Sequence, residues 1–480
     1  MAVINKTFLP ITDKANYYKV LDNAVHILKT TGMLVESDVL LEYLRKYGAV
    51  VDVANKTAKF PEAVIYKTID LLKSDAGRHK SQNICDADRI KLHYGTEAFF
   101  VYDRIKRLRY APYPDEIAEL IRLGDTLCDV GSVSMPVLDS RADPETEALE
   151  AVELLYANTS KYSSAGVRSH RQIKYFIEID RLFGHDIKDL FFTQTGRCMV
   201  SPLRFGLENC LIYEELIKAG ATDKLWVANM PIMGATSPVT TAGTAALAVA
   251  ELLAGWSVGK AVNEACASGA TIICGSMDMK HARGCFGTPE AIKANILVYQ
   301  TILEITGKSL NLDVGYSDAK LPGMQIAHER TLIEMAMLHT TGARFTVGML
   351  DAAKTFSPCL AMIDIDIAKC ILSYCREIDF SDESFATGVI GAVGYGGRNS
   401  YIETEHTLDH YRDALWSPTL FDRSFWEDGR EEEKEASLFD RVDEMRKASM
   451  KKYVPPVCDP RLLDALRGVV KKARKDLRGV

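Results

Sequence analysis

No two of the eleven cysteines in this 480-residue chain form a CxxC pair. Scattered thiols argue against a disulfide framework or a zinc ribbon and for a reducing, cytoplasmic setting in which cysteine serves as a small core residue. The chain also lacks the ~20 uninterrupted apolar residues of a membrane span. Its longest candidate, Ala242 to Trp256, is alanine-rich and too short. The opening MAVINKTFLPITDKANYYKV has no basic start followed by an apolar core, so no secretory signal is expected. Basic charge is not in excess: 58 Lys and Arg face 65 Asp and Glu, for a net charge of -7. That excludes the clustered positive footprint of a nucleic-acid binder. The one basic stretch, RGVVKKARKDLRGV at the end, reads as the solvated face of a helix. Neither a P-loop nor a Rossmann glycine fingerprint is present, and the glycine-rich GYGGRNSY (394–401) reads as a tight turn.

What is there is an ordinary globular composition, 47% hydrophobic and 26% charged, in a chain long enough to bury its own core. Residues 15 to 75 carry apolar residues at helical spacing, broken at Gly32 and Gly48, and predict a helical N-terminal layer. RIKLHYG and AFFVYDRIKRLRYAP then read as strands, together a hairpin. From about residue 115, helical patterns alternate with short apolar strands: VGSVSMPV, KYSSAG, RCMVSPL, KLWVANMPIMG, ATIICGSM, SLNLDVGY and ARFTVGML. Such alternation implies right-handed crossovers and a parallel sheet. Seven or eight units favour an α/β fold of the TIM (β/α)8 barrel type, with ATGVIGAVG (386–394) as a candidate for the unassigned strand. The expected organisation is a helical extension over 1–85, the barrel with its preceding hairpin over 86–400, and a helical tail over 401–480. Two helices and a charged linker, EDGREEEKEAS, make up the tail.

In a barrel the chemistry sits at the C-terminal ends of the strands. Those ends here are rich in small residues, methionine and aromatics, and hold few carboxylates. They show no nucleophile–His–acid arrangement. A mouth of this kind suits a methyl-shielded cation, which is held by aromatic faces. Tyr94, Phe99, Phe100 and Tyr102 around the hairpin, Phe286, and Tyr316 and Phe356 at strand ends are candidate walls, with core packing as the alternative for each. Asp278 and Asp318 are the candidate carboxylates. A substrate carboxylate would need a donor, for which Arg168, Arg204, Asn229, His328 or a helix N-terminus are candidates. His281 and Cys285 stand four apart, with His328 and His339 on the next long helix, but no second close ligand pair completes a metal set, and none is expected. Lys320 could form a Schiff base if its pKa were depressed, or be a plain loop lysine.

Five stretches carry a resemblance. They are HILKTTGMLVES with LLEYLRKYGAVVD, PIMGATSPVTTAGTAALAVAELLAG, GSMDMKHARGCFGTPE, GYSDAKLPGMQIAHE and YIETEHTLDHYRDALWSPTLFDR. In this order, across nearly the whole chain, they resemble the trimethylamine:corrinoid methyltransferase (MttB-like) family. The resemblance implies a TIM barrel that moves a methyl group from an amine to the cobalt of a small corrinoid protein. It implies no tightly bound cofactor, the corrinoid (cobalamin) being carried by the partner; a chain of this size is also expected to form a homo-oligomer. The founding members carry pyrrolysine; this chain has only standard residues. It therefore resembles the non-pyrrolysine branch, whose members demethylate quaternary amines such as glycine betaine, proline betaine or carnitine. In that reading Tyr316 walls the cation site and Asp318 faces the positive nitrogen or orders its loop. Other methylamines, trimethylamine among them, an aldolase-like barrel using Lys320, and an osmolyte-binding barrel without turnover are the competing readings.

Overall fold

The computed structural model describes residues 9–75, 92–95, 97–163, 165–193, 197–312, 315–341, 345–395, 399–426 and 428–477. Its centre is the helix Thr241–Val262, which is apolar on every side and buried along most of its length. Its composition explains its position. Gly255 and Gly259 let it lie directly on the strand Lys224–Asn229, where an added Cβ would come within 2.9 Å of Val227 Cγ1 and 2.8 Å of Leu225 Cδ2. The helices Lys14–Thr30, Asp38–Tyr47 and Glu62–Asp75 pack over its other side. They start and stop where the sequence says. Ser37 accepts from the Leu40 N–H, and Gly48 ends its helix at φ 114°. Between the layers, the fully buried Lys260 is paired with Asp75 and donates to the Cys266 carbonyl at 2.7 Å. The central helix extends to Val262, past the expected Trp256, and so reaches the length of a membrane span; 89% of its apolar window is buried inside the protein.

Two of the five sheets among the described residues are wholly parallel arrays. One is ordered Asn311–Leu312, Ala267–Ile272, Lys224–Asn229, Arg197–Cys198. The other is ordered Thr346–Val347, Leu92–Tyr94, Val130–Val133, with a further parallel bridge from Val133 to Tyr162. The chain is thus a mixed α/β protein, and among the described residues the arrays are not joined into one closed sheet. Alternation sets the two faces of each strand. Leu225, Val227 and Asn229 are buried towards the central helix, while Trp226 and Ala228 lie on the opposite face beside Gly269 and Thr271. The Trp226 indole donates to Thr271 Oγ1 at 2.9 Å, and a Cβ at Gly269 would fall 2.3 Å from its ring.

Three expectations are corrected. ATGVIGAVG is a short exposed helix, Thr387–Val393, because a brief apolar run fits either element and no sheet edge takes it up. A strand thought to belong to the hairpin, Leu92–Tyr94, instead sits between Thr346–Val347 and Val130–Val133 in the parallel array. The hairpin itself is Phe100–Asp103 with Leu108–Tyr110. The charged EEEKEAS is no linker: it opens the helix Glu431–Met450, and Pro460–Leu477 follows. These C-terminal helices pack on the helices Pro114–Thr126 and Pro358–Tyr374, and on Glu147–Asn158 and Ile173–Leu182. Asp313, and residues 396–398 of the glycine-rich turn, lie outside the described residues.

Candidate functional site

Because paired parallel strands run the same way, the segments that follow them gather at one end. Four such segments meet there. They are the hairpin after Leu92–Tyr94, the strands Gly275–Asp278 and Arg283–Cys285, the loop 315–323 after Asn311–Leu312, and the strands Met349–Leu350 and Thr355–Phe356. Gly315 permits the approach of the loop to its neighbour, since a Cβ there would meet Met349 Sδ at 2.5 Å and Thr346 Cβ at 2.7 Å. Ser317 then donates to the Met349 carbonyl at 2.9 Å, while Asp351 N–H and Ala352 N–H donate to the Ala319 and Ser317 carbonyls at 2.8 and 2.6 Å. Pro322 stands just ahead of the helix Met324–Thr341.

The loop brings Tyr316 against Phe286, ring centroids 5.0 Å apart and tilted by 51°. Asp318 fixes that pair from below. Its carboxylate accepts from Phe286 N–H at 3.1 Å and from Gly287 N–H at 2.9 Å, immediately before the helix Pro289–Thr306. The loop is held from the other side by the mostly buried Glu329, which accepts from the Asp318 and Ala319 N–H groups at 2.7 and 3.2 Å and from Gln325 at 2.6 Å. Asp318 is therefore committed to backbone donors, the geometry of a loop-ordering carboxylate.

Beside this pair lies a charge cluster that the sequence did not single out. Asp351 sits 2.9 Å from Arg283, 3.1 Å from Lys320 and 3.3 Å from Arg109. Burial pushes its pKa up, but Lys320 and Arg283 outweigh this and hold the carboxyl below its ordinary range. Asp351, Ala352 and Ala353 all adopt left-handed backbone, φ 55°, 54° and 64°. Side chains with a Cβ lose about 1–2 kcal/mol per residue in that region, which the backbone bonds to Ala319 and Ser317 offset. Cys285, on the same strand as Arg283, has its thiol pKa raised, by burial first and then by Asp318.

The other candidates fall elsewhere. Tyr94 and Phe356 are buried edge-to-face at 5.0 Å, with Tyr94 against Gly124 of the helix Pro114–Thr126. The Phe100 face is covered by the Arg109 guanidinium, 3.9 Å from its centroid. Asn229 points to the central helix, donating to Ala248 O at 3.1 Å and Glu251 Oε2 at 2.9 Å. Burial raises the Glu251 pKa. Asp278 is on the rim but bonded to His281 at 2.6 Å, whose side chain draws its pKa down. His328 is exposed on Met324–Thr341. Arg168 is paired with Glu97 and Glu147, and Arg204 with Glu36. Among the described residues, no three His, Cys, Asp or Glu side chains are grouped to hold a metal ion. Arg109, Arg283 and Asp351 were missed because their partnership spans up to 242 residues of sequence, and no local pattern announces it.

Comparison with known proteins gives this site its context. The chain is 26% identical over 475 residues to the trimethylamine methyltransferase MttB of Desulfitobacterium hafniense strain DSM 10664 / DCB-2, covering 96% of this chain and 93% of that protein. It is 24% identical over 483 residues to the glycine betaine methyltransferase of D. hafniense strain Y51, covering 96% of each. To the trimethylamine methyltransferase MttB1 of Methanosarcina mazei it is 24% identical over 492 residues, covering 97% of this chain and 95% of that protein. The family model for trimethylamine methyltransferase (MTTB) matches residues 3–478. This chain is a methyltransferase and belongs to the trimethylamine methyltransferase (MTTB) family.

Proposed function

We propose that the protein transfers a methyl group from a quaternary amine, glycine betaine or a related betaine, to the Co(I) of a cognate corrinoid protein. The observation that carries this reading is the Phe286–Tyr316 ring pair, held on the rim by Asp318 in a chain of this family. Aromatic faces attract a cation whose methyl groups rule out hydrogen bonding. The corrinoid protein is a second substrate and supplies the electron pair. The methyl carbon leaves with none of the C–N bonding electrons, and nitrogen keeps them as a neutral tertiary amine. No proton is needed at the leaving group, so the residues' work is orientation and exclusion of water. That agrees with a rim whose carboxylates, Asp318, Asp278 and Asp351, are each bound to a fixed partner.

The same reading places the parallel strands in one eight-stranded barrel. In sequence order, Leu92–Tyr94, Val130–Val133, Tyr162, Arg197–Cys198, Lys224–Asn229, Ala267–Ile272, Asn311–Leu312 and Thr346–Val347 supply eight staves. Two things support closure. Gly315, just beyond one array, abuts Thr346 of the other, and Tyr162, on the far side, stacks on Phe192, with ring centroids 6.0 Å apart. The functional test is a panel of N-methylated amines with reduced corrinoid protein, scored by mass spectrometry of the demethylated product. Demethylation of glycine betaine or another betaine is expected. Binding of the panel without any turnover would instead make the protein an osmolyte binder.

A further inference from the structure

The segments that carry the ring pair also carry two of the three cations of the neighbouring cluster. Arg283 and Phe286 lie on one, Tyr316 and Lys320 on the other. Among the described residues, Arg283, Lys320 and Arg109 are ion-paired with Asp351 and with no other carboxylate, so three positive charges meet one negative charge. The other nearby acids do not redress this. Asp318 takes backbone donors and Asp278 takes His281. Arg283 Nη2 is itself buried and lies 2.9 Å from Asp351 Oδ1, which fixes the guanidinium beside the ring pair. Lys320 is more than half exposed, so the cluster is open to a solute. The guanidinium fork is the side chain best matched to a carboxylate.

Resting on the quaternary-amine reading above, we propose that Arg283 and Lys320, held in place by Asp351, form a subsite for the carboxylate of a zwitterionic substrate whose methylated nitrogen lies against Phe286 and Tyr316. Asp351 is a positioning residue there: it keeps two flexible cations at one spot while leaving them a net positive charge. The cluster makes the enzyme selective for betaines over quaternary amines that lack a carboxylate.

The test is calorimetric titration of the full chain with glycine betaine and with choline, which share a trimethylammonium group and differ in carboxylate against hydroxyl. Wild-type protein is expected to bind glycine betaine at least tenfold more tightly. Arg283→Gln, and separately the exposed Lys320→Gln, should each weaken glycine betaine at least tenfold and change choline less than twofold. Lys320→Gln keeps the proposal open to refutation if Arg283→Gln does not fold. Equal affinity of the wild type for both compounds, or parallel losses for both in the variants, overturns the subsite. If betaine and choline are both demethylated at equal efficiency, the subsite falls and the quaternary-amine reading stands. If neither binds and no N-methyl compound is turned over, both fall.

Discussion

Replacing Asp318 separates two roles that a carboxylate can play beside a cation. Its oxygens accept from Phe286 N–H and Gly287 N–H at 3.1 and 2.9 Å, and Oδ2 alone lies within reach of both donors. Alanine removes both bonds. A hydrogen bond to a charged group contributes ~1.5–3 kcal/mol, but this loop is half-exposed and water can take over part of the work. A net loss of ~2 kcal/mol in loop ordering follows, which is more than a tenfold fall in methyl transfer if the ring pair must be formed at the transition state. Asparagine placed with Oδ1 at the Oδ2 position still accepts from both N–H groups, at about half the strength. Asp318→Asn should therefore lose about fivefold in rate where Asp318→Ala loses about thirtyfold. The assay is single-turnover demethylation at saturating amine, with thermal unfolding as the control for global stability. If Asp318→Asn is as inactive as Asp318→Ala, the charge acts on the substrate cation directly and the loop-ordering account is wrong.

Three further outcomes test the frame around the site. Gly269→Ala should destabilise the protein by ~1–3 kcal/mol, because its Cβ would fall 2.3 Å from a Trp226 ring pinned to Thr271; denaturant melts and a shift in tryptophan emission report it. Tyr94→Phe should leave stability unchanged or raise it, since the buried Tyr94 hydroxyl has no hydrogen-bond partner among the described residues; denaturant melts measure it, and a loss above about 1 kcal/mol would refute the reasoning. Burial raises the Glu251 pKa, so its contribution is full below the ordinary glutamate range and is lost as pH rises through the raised value. Glu251→Gln should flatten stability against pH above about 4.5, measured by urea midpoints, and an unchanged slope would assign the pH dependence to other groups.

Local signals were legible where the cause is local. Helix ends at Ser37, Gly48, and Thr288 with Pro289 are written in capping chemistry. The strand–helix alternation is written in apolar periodicity. The failures have equally physical causes. Leu92–Tyr94 is three residues long, and its neighbours in the sheet come from 130–133 and 346–347, so only tertiary pairing distinguishes it from the hairpin that follows. GVIGAV is short enough to suit strand or helix. Within the site, the pairing of Tyr316 with Phe286 depends on Asp318 reaching 32 residues back, and Asp351 depends on cations from three other segments. Aromatic residues were visible as a class, but which rings face the core and which the rim was not. Tyr94 and Phe356 differ from Tyr316 and Phe286 in burial rather than in kind.

The leaving group gives the clearest distinction between the substrate readings. Neutral trimethylamine losing a methyl group would leave an amide anion unless nitrogen is protonated first, so its demethylation requires an acid at the right place. A quaternary amine carries its positive charge at every pH and leaves as a neutral amine. The rim carboxylates here are fixed by backbone or ion-pair partners, and among the described residues no paired acid and base converge on the ring pair. Turnover of glycine betaine should accordingly be nearly independent of pH between about 6 and 8, since no group with a pKa in that range takes part in the step. The measurement is the single-turnover rate across that range at constant ionic strength, with reduced corrinoid protein in excess so that partner binding does not limit. A bell-shaped profile for betaine would mean that a general acid or base acts on this chain after all, and the search for it would begin with His281 and Lys320, the exposed titratable groups of the rim.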